Sequence, residues 1–173
     1  MDMELTYIYH SGFALSGDGF TVIMDYYRDS EDGQAQSDLN RLMDGTFSNQ
    51  EAGMPEGTVH SELLRRPGKL YVLASHFHLD HFNKEVLQWR EQRPDIIYIF
   101  SKDILRHRRA QKEDAVWLKK GEEYKDETLS VRAFGSTDVG VSFLLQAGGK
   151  KIFHAGDSVS YTHLRAHETL SDL

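Results

Sequence analysis

Short apolar runs separated by glycine-rich or charged punctuation set the pattern of this chain. Glu4–Tyr9, residues 13–16 and residues 20–25 are β-branched and aromatic and predict three strands. Gly17-Asp18-Gly19 predicts the hairpin turn between the last two. Residues 29–36 are small and acidic and predict a loop. Residues 37–43 predict a short helix starting at Ser37, and residues 45–57, with several glycines and Pro55, predict irregular chain. A helix is expected over 58–66, capped by Thr58 and stopped by Pro67-Gly68. Beyond it the pattern alternates. Residues 69–75 predict a strand, 84–92 a helix capped by Asn83, 95–101 a strand and 102–109 a helix, while 115–119 fit either state. Three strands then follow at 128–134, 140–146 and Lys150–His154, the last pair joined by Gly148-Gly149. Strands bracketed by helices, with hairpins at intervals, predict one layered α/β domain with mixed sheets.

Immediately after the apolar run 70–74 comes Ser75-His76-Phe77-His78-Leu79-Asp80-His81-Phe82. Three imidazoles and one carboxylate fall within six positions, in a chain with only 9 histidines. Imidazole nitrogen and carboxylate oxygen together suit zinc, iron(II) or manganese, and the absence of cysteine argues against a closed structural zinc knuckle. The plainer alternative is a polar loop whose histidines only cap and hydrogen-bond.

Composition narrows the partners. The 173 residues are 39% hydrophobic and 27% charged, which fits one domain with its own core. A net charge of −7 gives nothing that attracts a nucleic-acid backbone or an anionic membrane. There is no run near the roughly 20 apolar residues of a membrane span. The start of the chain shows no basic, apolar secretory leader, and zero cysteines fit a cytoplasmic location.

Four segments line up in order: Thr6-Tyr7-Ile8-Tyr9-His10-Ser11-Gly12-Phe13, the strand ending at Asp25, His76-x-His78-x-Asp80-His81, and Ile152-Phe153-His154-Ala155-Gly156-Asp157. Over about residues 4–158 they resemble the metallo-β-lactamase fold superfamily, most of all its small cytoplasmic hydrolases related to phosphorylated-ascorbate lactonase. The resemblance implies a four-layer αββα sandwich with two divalent ions, zinc foremost, at one edge between the sheets. His76 and His78 would bind the first ion, Asp80 and His81 the second, and Asp157 both. Asp25 would be a buried partner of the metal loop, and His10 would lie at the cleft as a contact for substrate or for the ligands themselves. Two ions about 3.5–4 Å apart would lower the pKa of a shared water toward about 7, so that hydroxide attacks the substrate. Asp80 fits a double role, as ligand and as the catalytic group that orients the nucleophile or handles its proton. Ester, lactone, amide and phosphoester bonds of a small substrate all remain open.

The chain departs from the family pattern twice. Where a further histidine of the first metal is expected, it has Ala133-Phe134-Gly135-Ser136-Thr137-Asp138-Val139-Gly140. Asp138 is the oxygen donor available there, a site that would favour iron or manganese. Ser136-Thr137 contacting substrate, or a plain turn, are the alternatives. Secondly, residues 159–173 do not resemble the family's continuation. They resemble a peptide produced when adapter DNA is translated in frame, which predicts a hydrolase domain over 1–158, incomplete in its second half, and a foreign tail. Loss of the last elements would expose a sheet face and an edge, which predicts poor solubility and weak metal binding for the chain as given.

The remaining histidines carry less. His163 and His167 are spaced i, i+4, a zinc geometry if helical, but nothing else in the tail supports a site. His154 reads as a structural neighbour of the site, and His60 and His107 as surface side chains. The basic residues of 102–125, including Arg106, Arg108 and Arg109, are interleaved with acids and read as a solvated face, with contact to an anionic substrate group as the alternative. The function expected is therefore a metal-dependent hydrolase. A metal-binding but catalytically weak member of the same fold is the second reading, and a nucleic-acid-processing member the third.

Overall fold

A computed structural model describes residues 2–27, 58–137 and 139–157, with side chains from Glu62 onward in the middle segment. The predicted loop and helix at 29–43, the irregular stretch 45–57, Asp138, His163 and His167 lie outside the described residues, as does the side chain of His60. The described chain forms β1 (Glu4–Tyr9), β2 (Gly12–Gly17), β3 (Phe20–Met24), α1 (Thr58–Arg65) and β4 (Lys69–Ala74). It continues as α2 (Glu85–Gln88), a 3₁₀ turn at Trp89–Glu91, β5 (Ile97–Ser101), α3 (Lys102–Arg106) and β6 (Val116–Leu118). The last strands are β7 (Glu123–Lys125), β8 (Ser130–Gly135), β9 (Val141–Ala147) and β10 (Lys150–His154).

Two sheets result. The first runs β1-β2-β3-β4-β5-β6, antiparallel up to β3 and parallel from there on. The second is the antiparallel order β10-β9-β8-β7. The period-two geometry of a strand sorts side chains between two cores. In β4, Leu70, Val72 and Ala74 face Leu63, Leu64, Val86, Trp89 and Ile104 of the helical layer. Tyr71 and Leu73 of that strand face Val131, Ala133, Phe143 and Leu145 of the second sheet. β3 is buried along its whole length because it is covered on both faces. Three layers, helices on sheet on sheet, are thus present among the described residues. No described helix covers the outer face of the second sheet, where Arg132 lies over the Phe134 ring, 5.5 Å from its centroid. No described helix is long and apolar enough to cross a membrane.

At the end of the sandwich away from the β4 C-terminus, Asp126 ties the two sheets together. Its Oδ2 accepts from the Tyr71 hydroxyl (2.7 Å), the Tyr124 hydroxyl (2.9 Å) and Lys69 Nζ (3.2 Å). Its Oδ1 accepts the Thr128 and Leu129 amides at 2.7 and 2.9 Å. Burial opposes the charge, but these donors hold the carboxyl well below the usual range. Because its folded pKa is depressed, the contribution is present above about pH 4 and is lost as the solution becomes more acidic. Asp126→Ala is expected to cost about 2–3 kcal/mol by chemical denaturation at pH 7, the scale of lost charge-assisted hydrogen bonds. The cost should shrink when the measurement is repeated near pH 3.

Candidate metal centre

Parallel pairing of β3 with β4 brings Asp25, one residue past β3, beside the end of β4. Its amide donates to Leu73 O at 2.9 Å, and the residue holds a φ of 48°, a left-handed backbone that aspartate tolerates better than most. This turn aims the carboxylate at the metal loop. Asp25 Oδ1 accepts the Ser75 amide (2.7 Å), and Oδ2 accepts both the Ser75 hydroxyl (2.6 Å) and His81 Nδ1 (2.7 Å). Asp25, Ser75 and His76 are each fully buried, and His81 nearly so.

This network sets the histidine tautomers. The single Ser75 proton goes to Asp25, so the 3.0 Å contact between Ser75 Oγ and His76 Nδ1 requires Nδ1 to donate. His76 Nε2 is then a bare lone pair. It is buried, has no hydrogen-bond partner among the described residues, and faces Asp157 Oδ2 at 3.8 Å. Burial, reinforced by the charge on His81, lowers the His76 pKa to about 4, which keeps the ring neutral at pH 7. His81 turns Nε2 toward Asp80 Oδ2, 3.4 Å away, while Nδ1 is held by Asp25. Burial opposes a charge on His81, but hydrogen bonds to Asp25 and Asp80 outweigh it and raise the pKa to about 10. Asp80 is correspondingly lowered, the His81 bond and charge outweighing burial.

One donor atom each from His76, His81 and Asp157 lies within 4.8 Å of the others. The His78 ring stands nearly perpendicular to His76, with centroids 4.8 Å apart. Of the predicted ligands, His76, His81 and Asp157 therefore converge. His78 and Asp80 flank them, and Asp138 lies outside the described residues. An orphaned, neutral, buried imidazole nitrogen facing a carboxylate is the donor set a divalent cation satisfies, so the residues fit the ions that the fold family implies.

His10 lies in the β1–β2 turn, which His154 ties to the site. It has a φ of 54°, and its ring packs edge-on against Tyr9 and Tyr27. His154 has both ring nitrogens engaged: Nδ1 accepts the Gly156 amide at 3.2 Å, so Nε2 carries the proton shared with Ser11 O at 3.1 Å. It fastens the segment leading to Asp157 onto the β1–β2 turn.

Several contributors escape the sequence reading. Ser75 sets the His76 tautomer, and its carbonyl accepts the Val141 amide at 2.9 Å, joining the loop to the second sheet. Gly140, with φ +80°, passes so close that a Cβ would sit 2.2 Å from Ser75 O and 2.5 Å from the His76 Cβ. The only signal for these in the sequence is a serine beside the motif and a glycine at the start of a strand.

The chain belongs to the β-lactamase superfamily: a family model described as "Beta-lactamase superfamily domain" matches residues 4–171. Solved structures of the metallo-β-lactamase fold are similar to it. A possible metal-dependent hydrolase from Veillonella parvula DSM 2008 aligns with a TM-score of 0.63 at 16% identity, over 99% of this chain and 69% of its own. Igni18, a metallo hydrolase from the archaeon Ignicoccus hospitalis, aligns with a TM-score of 0.61 at 18% identity, over 95% of this chain and 66% of its own. CmlA, a diiron β-hydroxylase from Streptomyces venezuelae, gives 0.55 at 16% identity, over 96% of this chain and 33% of its own. The chain thus spans less than two thirds of the length of Igni18 and CmlA. No curated protein matches it.

Proposed function

We propose that the chain is the metal-binding core of a hydrolase that cleaves an ester, lactone, amide or phosphoester bond of a small substrate with two divalent ions. The observation that carries this reading is the bare, buried Nε2 of His76 set against His81 and Asp157. His76 and His78 would hold one ion, Asp80 and His81 the other, and Asp157 both. When bound, such ions supply Lewis acidity to the substrate's oxygen and an activated water. The protein's own work is positional. Asp25 and Ser75 fix the tautomer and plane of two histidines before any ligand arrives. Asp80, whose Oδ2 lies 3.4 Å from His81 Nε2, would orient the nucleophile and take its proton. Zinc suits the imidazole-rich set, and iron(II) or manganese would be favoured if Asp138 joins as an oxygen donor.

Metal content of the 173-residue chain, purified without chelator and measured by elemental mass spectrometry, tests the reading. Uptake of divalent ions is expected, and close to two per chain would mean that the site closes without further ligands. A chain that takes up no divalent ion when zinc, iron(II) or manganese is added would overturn it.

A further inference from the structure

The His76-Phe77-His78 segment has a support that lies outside its own loop. The described backbone hydrogen bonds of the loop engage Ser75 O and, through His78 O, the amides of His81 and Phe82. The Phe77 amide, which sits between the two ligand histidines, donates instead to a side chain, Asp103 Oδ2, at 3.0 Å. Asp103 lies in α3 and is only 8% exposed, and its other oxygen, Oδ1, is buried without a partner among the described residues. A carboxylate in the first turn of a helix ordinarily faces water or its own amides. This one is turned away, into the metal loop, and bears the cost of burial there.

The other end of α3 reaches the same residue. His107 Nδ1 donates to Asp103 O at 2.9 Å, which fixes the ring's plane. That ring lies flat on the Phe77 ring, with centroids 3.6 Å apart and an interplanar angle of 8°. Phe77 in turn meets the His78 ring at 4.5 Å. Backbone and side chain of the residue between the two histidines are therefore both held from one five-residue helix. His107 is the exposed side chain that its charged neighbours suggest, and its ring is held in place as well.

We propose that Asp103 and His107 are positioning residues for the metal loop, a brace that sets the spacing and orientation of His76 and His78. The inference rests on the proposed metal site. It assigns α3 a task distinct from core packing, because Ile104 of the same helix already supplies the packing. Loss of a partner one step removed from metal ligands costs about 10–100-fold in metal affinity.

The test is a zinc(II) titration of the full chain against a chromophoric chelator, comparing the unsubstituted protein with Asp103→Ala, Asp103→Asn and His107→Ala. Asp103→Ala is expected to raise the zinc dissociation constant by about 10-fold or more. Asp103→Asn retains an oxygen acceptor for the Phe77 amide and should bind close to the unsubstituted chain. His107→Ala, at an exposed position that folding tolerates, should give a smaller rise. Amide hydrogen exchange on the metal-free proteins supplies a readout independent of metal: Phe77 should lose protection in Asp103→Ala and keep it in Asp103→Asn. Equal zinc affinity in Asp103→Ala and the unsubstituted chain overturns the brace and leaves the metal site standing. Equal losses in Asp103→Ala and Asp103→Asn overturn the acceptor role. An unsubstituted chain that binds no zinc removes the metal site, and the brace falls with it.

Discussion

Replacing His76 with alanine is expected to strip at least one divalent ion from the protein while leaving the fold intact. The first half follows from the lone pair. His76 Nε2 has no other use in the described structure, being buried, unprotonated and without a donor. Its removal leaves His81 and Asp157 as the only two members of the converging cluster. Losing a ligand outright should exceed the about 10–100-fold loss of affinity that an outer partner causes. Any hydrolysis by the proposed site should fall with it. The second half follows from what His76 gives its neighbours. Ser75 keeps its bond to Asp25 when the ring is gone; one neutral hydrogen bond, about 1 kcal/mol, and the ring's packing on His78 and His81 are lost, offset in part by removal of the unpartnered Nε2. Elemental analysis should show the metal deficit, and denaturation of chelator-treated protein should show a small stability difference. Full occupancy in His76→Ala would place the ions elsewhere.

How much of this was legible in the sequence depends on whether a feature is local. β1 and β10 have the predicted bounds, because each is a short run flanked by turn residues. β7 was missed: Glu123-Tyr124-Lys125 carries no apolar run and is defined only by pairing with β8. The helix expected over 84–92 breaks into α2 and a 3₁₀ turn. Asn83 Oδ1 does accept the Glu85 amide, but only Val86 and Trp89 bury a face. The strand expected over 95–101 begins two residues later, and the helix over 102–109 ends at Arg106. The loop His76–His81 was legible because its candidate ligands crowd into one turn. Its supports were not, since Asp103 and Gly140 reach it from other elements and act through contacts that no local spacing encodes. Asp25 was placed by family resemblance, and the structure adds the reason it is there: one carboxylate holds the Ser75 amide, the Ser75 hydroxyl and His81 together.

That concentration of roles makes Asp25→Ala the second large expected effect, on stability and on its pH dependence. In the metal-free chain burial opposes the Asp25 charge, but His154, His81 and Ser75 outweigh it and lower the pKa from 3.8 to about 2. Its stabilising contribution is therefore present above about pH 4 and is lost as pH falls through 2. His81 is raised from 6.5 to about 10, so its contribution is full below 6.5 and is lost as pH climbs toward 10. His76 is lowered from 6.5 to about 4, so it weakens the fold progressively as pH drops from 6.5 to 4. Together these place the stability maximum of the metal-free protein near neutrality. Asp25→Ala leaves His81 buried beside a missing partner, which should cost about 3–5 kcal/mol at pH 7. It should also flatten the alkaline limb, because His81 no longer gains by staying protonated. Thermal melts of chelator-treated protein from pH 5 to pH 10 check both parts. A variant that is weakened equally at every pH would show that Asp25 acts on the backbone of Ser75 alone and not on the charge of His81.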